Sequence, residues 1–130
     1  MIYLDSAAVV KLIWAEAETS ALVAWLGARA GTPLVTSALV EVEVPRALRR
    51  RAPAALAAVP GTLSMLDRIE IDAAIRATAA SFSDPTLRSL DAIHLATAQQ
   101  VSTQLEAFVT YDTRLLGAAQ QAGLPVASPC

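Results

Sequence analysis

The sequence predicts an α/β protein, a three-layer α/β/α domain built on a mostly parallel central sheet. Three observations predict it. Short apolar runs suited to buried strands alternate along the chain with longer segments of helical periodicity. The chain opens as a β-α-α-β unit and closes as strand, helix and strand. Its 130 residues, 55% of them hydrophobic, suffice for one domain over residues 1–130 with a sizeable core and no linker.

Taken in order, Met1 to Leu4 reads as a short buried strand, and Ser6 is a candidate N-cap for an apolar helix running to about Glu16. Thr19 or Ser20 opens a second helix, whose face Leu22, Val23, Trp25 and Leu26 ends at Gly31-Thr32-Pro33, before the strand Leu34-Val35-Thr36. Ser37 is the expected cap of the helix from Ser37 to Arg50. Pro45 lies inside it, so that helix either starts later than its periodicity or is kinked. Ala52 to Ala58 forms a short helix ended by Val59-Pro60-Gly61, and Ser64 to Ile71 has a strand-like pattern. Asp72 caps a helix through Ala80, Phe82 to Pro85 is a loop, and Ser89 to Gln99 is helical. The strand Ala107 to Tyr111, a helix from Thr113 to Ala122, Gly123 and a short strand from Pro125 to Ala127 complete the chain.

Composition excludes several classes. A charged fraction of 17% with a mean hydropathy of +0.47 is incompatible with intrinsic disorder. Charged residues interrupt every apolar stretch before membrane-spanning length, and Asp5 interrupts any signal peptide, so a cytoplasmic location with no membrane partner is expected. One cysteine, Cys130, and one histidine, His94, leave no intrachain disulfide and no cysteine- or histidine-rich zinc site. A net charge of −2 argues against nonspecific phosphate binding by the whole surface. The cluster Arg46, Arg49, Arg50 and Arg51 is the exception, either a phosphate-binding patch or charge complementing a helix C-terminus. The apolar excess predicts a surface covered by another subunit or a protein partner.

Asp5, Glu43, Asp91 and Asp112 each stand where an apolar strand or helical run begins or ends. Asp5 and Asp112 follow strands, so each is expected to emerge at the C-terminal end of a buried strand, where open α/β folds bind ligands. Glu43 and Asp91 fall in helical segments among apolar neighbours, where a carboxylate needs a partner. The dipole of its helix favours the ionised form of Asp91. A hard divalent cation partners several carboxylates at once.

These residues resemble the PIN-domain ribonucleases, in particular the VapC-type toxins of prokaryotic type II toxin–antitoxin pairs. The resemblance rests on Ile2-Tyr3-Leu4-Asp5-Ser6, on Thr36-Ser37-Ala38-Leu39 leading to Glu43, on Leu90-Asp91-Ala92-Ile93-His94-Leu95-Ala96-Thr97-Ala98, and on Val109-Thr110-Tyr111-Asp112. It implies a PIN-like fold and a metal-dependent endoribonuclease. Asp5, Glu43, Asp91 and Asp112 then form the catalytic, metal-binding quartet for one or two Mg²⁺ or Mn²⁺ ions, with the Ser6 and Thr110 hydroxyls in support. Where many relatives carry a further acid after the fourth, this chain has Thr113 and Arg114, so a second ion is held weakly or only with substrate. The implied partners are RNA, a second copy and a VapB-type antitoxin, for which the apolar N-terminal helices are the candidate groove.

Within that frame Asp5 and Asp91 are expected as principal ligands, with Glu43 and Asp112 acting through water or orienting the nucleophile. Arg46, Arg49 and Arg50 are candidate RNA phosphate contacts, although Arg46 is first expected to pair with Glu43, and Arg88 invites the same two readings. Lys11 reads as solvated, His94 as an orienting or packing group rather than a general base, and Trp14 and Trp25 as core or interface. The alternative is a noncatalytic PIN-like module that binds protein or RNA; the mutual repulsion of four carboxylates without a metal counts against it. A phosphatase with an aspartyl intermediate needs an acid at the position of Ala7, and a receiver domain needs a lysine after the last strands.

Overall fold

The structure, a computed structural model, describes residues 1–130. Its order is β1 (Ile2–Leu4), α1 (Ser6–Ile13), α2 (Thr19–Gly27), β2 (Leu34–Ser37), α3 (Val40–Arg51), a 3₁₀ segment (Pro53–Ala58), α4 (Val59–Leu63), β3 (Asp67–Ile69), α5 (Ala73–Ser81), α6 (Ser89–Gln100), β4 (Ala107–Val109), α7 (Thr113–Gln121) and β5 (Val126–Ala127). The five strands pair in the order β3-β2-β1-β4-β5, and every pairing is parallel. β1 is central because all three of its residues are fully buried, as a strand covered on both faces must be. From β1 the chain builds outward through β2 and β3, then crosses to add β4 and β5 on the other side. The strand order therefore reverses between β1 and β4, and the crevice of such a sheet opens at their C-terminal ends.

Side-chain alternation along β1 sorts the core into two layers. Ile2 and Leu4 face a cluster with Val9, Val10, Leu22, Val44, Leu48 and Leu63, which seats α1 to α4. Tyr3 points the other way, into a cluster with Phe108, Leu95, Leu115 and Ala119 that seats α6 and α7, and α5 packs on α6. The three-layer expectation holds. No helix is long and apolar enough to cross a membrane.

Several boundaries differ from the sequence expectation, each for a local reason. The first helix stops at Ile13, and Asp5, not Ser6, caps it by accepting the Ala8 N–H at 2.9 Å. The Ser6 hydroxyl is thereby free to face the crevice. α3 starts at Val40, after a turn in which the Ser37 hydroxyl accepts the Leu39 N–H, so the helix starts later than its periodicity, and Pro45 still lies inside it. Val59-Pro60-Gly61 opens α4 instead of ending a helix, since proline lacks only an N–H that a first turn leaves unused. β3 shrinks to Asp67–Ile69 because the N–H groups of Ser64, Met65 and Leu66 are spent in a turn on the end of α4. Asp72 caps α5 as expected, accepting the Ile75 N–H at 2.8 Å. Gly123 ends α7 with a φ of 81°, the left-handed conformation that lets its own N–H and that of Leu124 close on Gln120 and Ala119.

Lys11 corrects a further expectation. Its side chain is only 9% exposed, with Nζ 3.0 Å from Glu18 and 3.5 Å from Glu16 and 4.8 Å from the Tyr111 ring centroid. The segment after α1 folds back over it, so the ammonium is buried and paired rather than solvated.

Candidate active site

Asp5 and Asp112 owe their positions to the strands before them and their orientation to the helices after them. Each is an N-cap. Asp5 Oδ1 accepts from Ala8 N–H, and Asp112 Oδ1 accepts from Arg114 and Leu115 N–H at 2.9 and 3.0 Å. One carboxylate oxygen of each is spent on a helix N-terminus. The other oxygen remains. Asp112 Oδ2 lies 3.4 Å from Arg88 Nη2, whose Nε is 3.4 Å from Asp91 Oδ2. Arg88 thus ties α6 to the end of β4, and for this residue the ion pair is what the structure displays.

Glu43, in the first turn of α3, reaches the same crevice. Arg46 makes no ion pair with it, contrary to expectation. Glu43 Oε1 instead accepts from Ser6 Oγ at 2.6 Å and lies 2.9 Å from His94 Nε2, with Ser6 Oγ 3.0 Å from the same nitrogen. An ionised carboxylate only accepts hydrogen bonds, so the network assigns a proton to Nε2. On the other side of the ring Nδ1 is 2.7 Å from the Tyr3 hydroxyl. Tyr3 is fully buried, stacked on Phe108 at 5.1 Å and edge-on to His94. A rigid chain of groups therefore runs from the sheet core to Glu43. Tyr3 was not singled out in the sequence, although its place two residues before Asp5, on the same face of the strand and opposite Ile2 and Leu4, is the signal that locates it. Sequence alone paired His94 with neither Tyr3 nor Glu43.

The electrostatics separate the acids. Burial holds the Asp5 carboxyl above its ordinary pKa; His94, the Thr110 hydroxyl and the Ala8 N–H oppose this, and the charge of Asp91 adds to it. Burial also raises Asp91, Asp112 reinforces the rise, and Arg88 only partly offsets it. Burial and the Asp112 charge thus act against the favourable dipole of α6 at Asp91. For Glu43 burial pushes upward too, but the hydrogen bonds from His94 and Ser6 outweigh it and the net shift is downward.

Glu43, Arg88, Ser89, Leu90 and Asp91 line a hollow of about 290 Å³. Of the four acids Glu43 and Asp91 line it, and Asp91 is coupled electrostatically to Asp5 and to Asp112. No group of three or more Asp, Glu, His or Cys side chains closes on a common point at metal-binding distance. The residues present fit a hard, oxygen-preferring divalent cation held by one or two carboxylates with water completing its shell, not an ion caged by the full quartet. Of the supporting hydroxyls, Ser6 bonds Glu43, while Thr110 faces Asp5 and accepts the Asp112 N–H at 3.2 Å. Arg46 and Arg50 line an adjoining hollow with Glu43, and Arg49 is exposed but does not line it.

The PIN-domain family model matches residues 2–120. The chain is 54% identical over 131 residues to Ribonuclease VapC35 of Mycobacterium tuberculosis, covering 99% of this chain and 97% of that protein. Among solved structures it is similar to Mycobacterium tuberculosis VapC20, a sarcin–ricin loop cleaving toxin, with a TM-score of 0.73 at 17% identity over 91% of this chain and 95% of that one. A toxin–antitoxin complex from Klebsiella pneumoniae gives a TM-score of 0.71 at 22% identity over 100% and 98%. With its parallel five-stranded sheet and an acid following both β1 and β4, the chain belongs to the PIN-domain family, among the VapC-type ribonucleases.

Proposed function

We propose that this chain is a divalent-metal-dependent endoribonuclease, a single-domain toxin that hydrolyses RNA phosphodiester bonds in the cytoplasm and is restrained by a cognate antitoxin. One observation carries the reading. Four carboxylates from four separate elements gather around the switch point of the sheet, and the only basic groups paired with them are the mostly exposed Arg88 and the His94 ring on Glu43. In a chain this similar to a named ribonuclease, such a concentration of negative charge is support for cation binding rather than for a structural network.

Asp5 and Asp91 would hold the ion, each through the oxygen its own helix or Arg88 leaves accessible. When bound, Mg²⁺ or Mn²⁺ supplies positive charge at the scissile phosphate and acidifies its water. The chain does the rest by position. Tyr3 and His94 fix Glu43, whose second oxygen is thereby aimed to accept a proton from the attacking water, and the Ser6 hydroxyl keeps that carboxylate ionised. Asp112 orients through water, and Arg88 is placed to meet substrate phosphate once the metal takes its carboxylate partners. Antitoxin and second copy are carried by the resemblance and by apolar side chains left exposed on the N-terminal helices, Val23 at 53% among them.

The test is cleavage of cellular RNA by antitoxin-free protein, wild type beside Asp91→Asn, with Mn²⁺, Mg²⁺ or EDTA. Discrete products that fall by roughly a thousandfold on substitution, about 4 kcal/mol in the barrier, and vanish with EDTA are expected. Cleavage that persists in folded Asp91→Asn protein sinks the assignment.

A further inference from the structure

The corner that carries Thr110, Tyr111 and Asp112 from β4 into α7 belongs to no strand and no helix. On the β1 side the backbone bonds stop before it, at the Asp5 N–H on the Val109 carbonyl at 3.3 Å. Both backbone groups of Thr110 are met from the opposite side. Its N–H donates to the Ala127 carbonyl at 3.2 Å, and its carbonyl accepts the Ser128 hydroxyl. One residue on, the Tyr111 hydroxyl donates to the Pro129 carbonyl at 2.8 Å. Residues 127–129 thus continue beyond β5 as a strap, made by side chains where the ladder of β4 and β5 has ended at Val109 and Ala127. The sequence prepares it. Pro125 and Pro129 bracket β5, and an edge strand tolerates proline because its outer N–H groups have no partner in the sheet. Pro129 also restricts Ser128 to extended backbone, which carries the line of β5 past the end of β4. The Tyr111 ring packs against the core cluster of Ile2 and Leu4, so packing fixes the ring and the hydrogen bond fixes its tip.

What the corner carries gives the strap its consequence. The Thr110 side chain is fully buried, and its hydroxyl faces Asp5 while accepting the Asp112 N–H at 3.2 Å. Asp112 gives Oδ1 to the first turn of α7 and turns Oδ2 toward Arg88 and Asp91. We propose that Tyr111 and Ser128 are positioning residues of the acid site, holding the Thr110–Asp112 corner so that the Thr110 hydroxyl stays on Asp5 and the Asp112 carboxylate stays beside Asp91. The proposal rests on the ribonuclease reading and adds two groups that act on the acids through the backbone. Their place distinguishes them from an ordinary edge contact. Both hydroxyl bonds join the corner and not β4 itself, and the corner bears one acid and the group that faces another. A reacting constellation tolerates a displacement of only about 0.5 Å, and without the two hydroxyls the Thr110 backbone keeps a single tie, to Ala127. A strap that only finished the sheet edge would instead change stability and leave the chemistry alone.

The experiment compares wild type with Tyr111→Phe, Ser128→Ala and the double variant, which remove hydroxyls and keep the ring and the packing. Ser128→Thr keeps the hydroxyl. Ser64→Ala deletes a hydroxyl-to-carbonyl bond of the same kind at the end of α4 and serves as the control. Calorimetry measures Mn²⁺ affinity, and kcat and KM are measured at saturating Mn²⁺ on an oligonucleotide spanning a site cleaved in cellular RNA. Amide hydrogen exchange in EDTA follows the Thr110 and Asp112 N–H groups. The double variant is expected to bind Mn²⁺ about tenfold more weakly and to lose kcat about 10- to 100-fold with KM within about twofold, the usual effect of losing a group that orients a ligand. Its two amides exchange faster, and Ser128→Thr and Ser64→Ala match wild type. Circular dichroism checks that each variant folds, and the single variants carry the test if the double one does not. Unchanged Mn²⁺ affinity and kcat in folded variants overturn the proposal, whatever their melting temperatures. So does a loss in Ser64→Ala equal to that in Ser128→Ala, or a loss in Ser128→Thr as large as in Ser128→Ala. Wild type that binds Mn²⁺ but cleaves no RNA defeats the ribonuclease reading alone, and the Mn²⁺ affinities then decide the strap; wild type that binds no Mn²⁺ overturns both.

Discussion

At the C-terminal end of α1 the buried Lys11 ammonium meets Glu18 and Glu16 within 3.5 Å and lies over the Tyr111 ring. At the N-terminal end of the same helix Asp5 is 4% exposed, beside Asp91, which is coupled in turn to Asp112. Both ends remove a charge from water, but Lys11 is paired directly with two acids, whereas Asp5 forms no ion pair and its acidic neighbours outnumber Arg88 and His94. The pKa directions record the difference. Glu18 beside Lys11 is held below its ordinary value, while Asp5 and Asp91 are held above theirs. A charge neutralised within the fold is structural, whereas charges buried together with one sign in excess store repulsion that an external cation relieves.

The largest effect that would break this contrast is at the paired end. Lys11→Ala leaves two glutamates facing a cavity and is expected to cost about 2–3 kcal/mol, at the low side of values for a broken buried pair because both glutamates retain some solvent. Chemical denaturation reads it, with RNA cleavage per folded molecule unchanged. At the acid end Tyr3→Phe keeps the stack on Phe108 but removes the hydroxyl on His94 Nδ1, and His94→Gln removes the bond to Glu43. Metal affinity or turnover is expected to fall about 10- to 100-fold in either, the usual effect of losing a group that orients a ligand. Manganese titration by calorimetry, beside kcat and KM, distinguishes lost orientation from lost folding; full affinity and turnover in Tyr3→Phe would show that the buried chain of groups does not reach the chemistry.

Smaller is the gain from relieving repulsion. Asp5 and Asp91 bind their protons more tightly folded than unfolded, so their contribution to metal-free stability is lost as pH rises from the ordinary carboxylate value of 3.8 through their raised ones. Glu43 has the opposite sign, its contribution being present above its unfolded value and lost on acidification. In EDTA near neutral pH, Asp91→Asn is therefore expected to melt roughly 3–4 °C above wild type, the shift given by about 1 kcal/mol in a chain of this size. The gap should close as the pH is lowered toward 4; a variant that melts below wild type at neutral pH would mean that Arg88 already neutralises the crevice. The smallest effect concerns Arg88 itself. Its 3.4 Å pairs are exposed and worth at most about 1 kcal/mol, so Arg88→Gln is expected to tighten manganese binding by no more than about fivefold.

Particular residues show where the sequence is sufficient and where it is not. The acids were legible because each closes or opens an apolar run, and alternation along β1 and β4 leaves few places where a charge can stand. That Asp5 and Asp112 also cap helices was not, since an Asp followed by a Ser or Thr offers two possible caps and only the backbone conformation chooses between them. Lys11 was misplaced because its burial depends on Glu16 and Glu18 turning back after α1, a contact that periodicity does not encode. Arg46 was expected on Glu43 from spacing alone. The carboxylate went instead to Ser6 and His94, groups 37 and 51 residues away.

By itself the sequence determined the fold class, the parallel sheet and the family, because these follow from patterns of a few residues and from motifs in fixed order. Tertiary structure decided the partners: Tyr3 and His94 behind Glu43, and Arg88 between Asp91 and Asp112. The physical reason is range. Helix and strand formation and capping are settled within a turn or a pleat, whereas a buried charge finds its counterpart only after distant segments have packed, and the excess that remains is a property of the whole crevice.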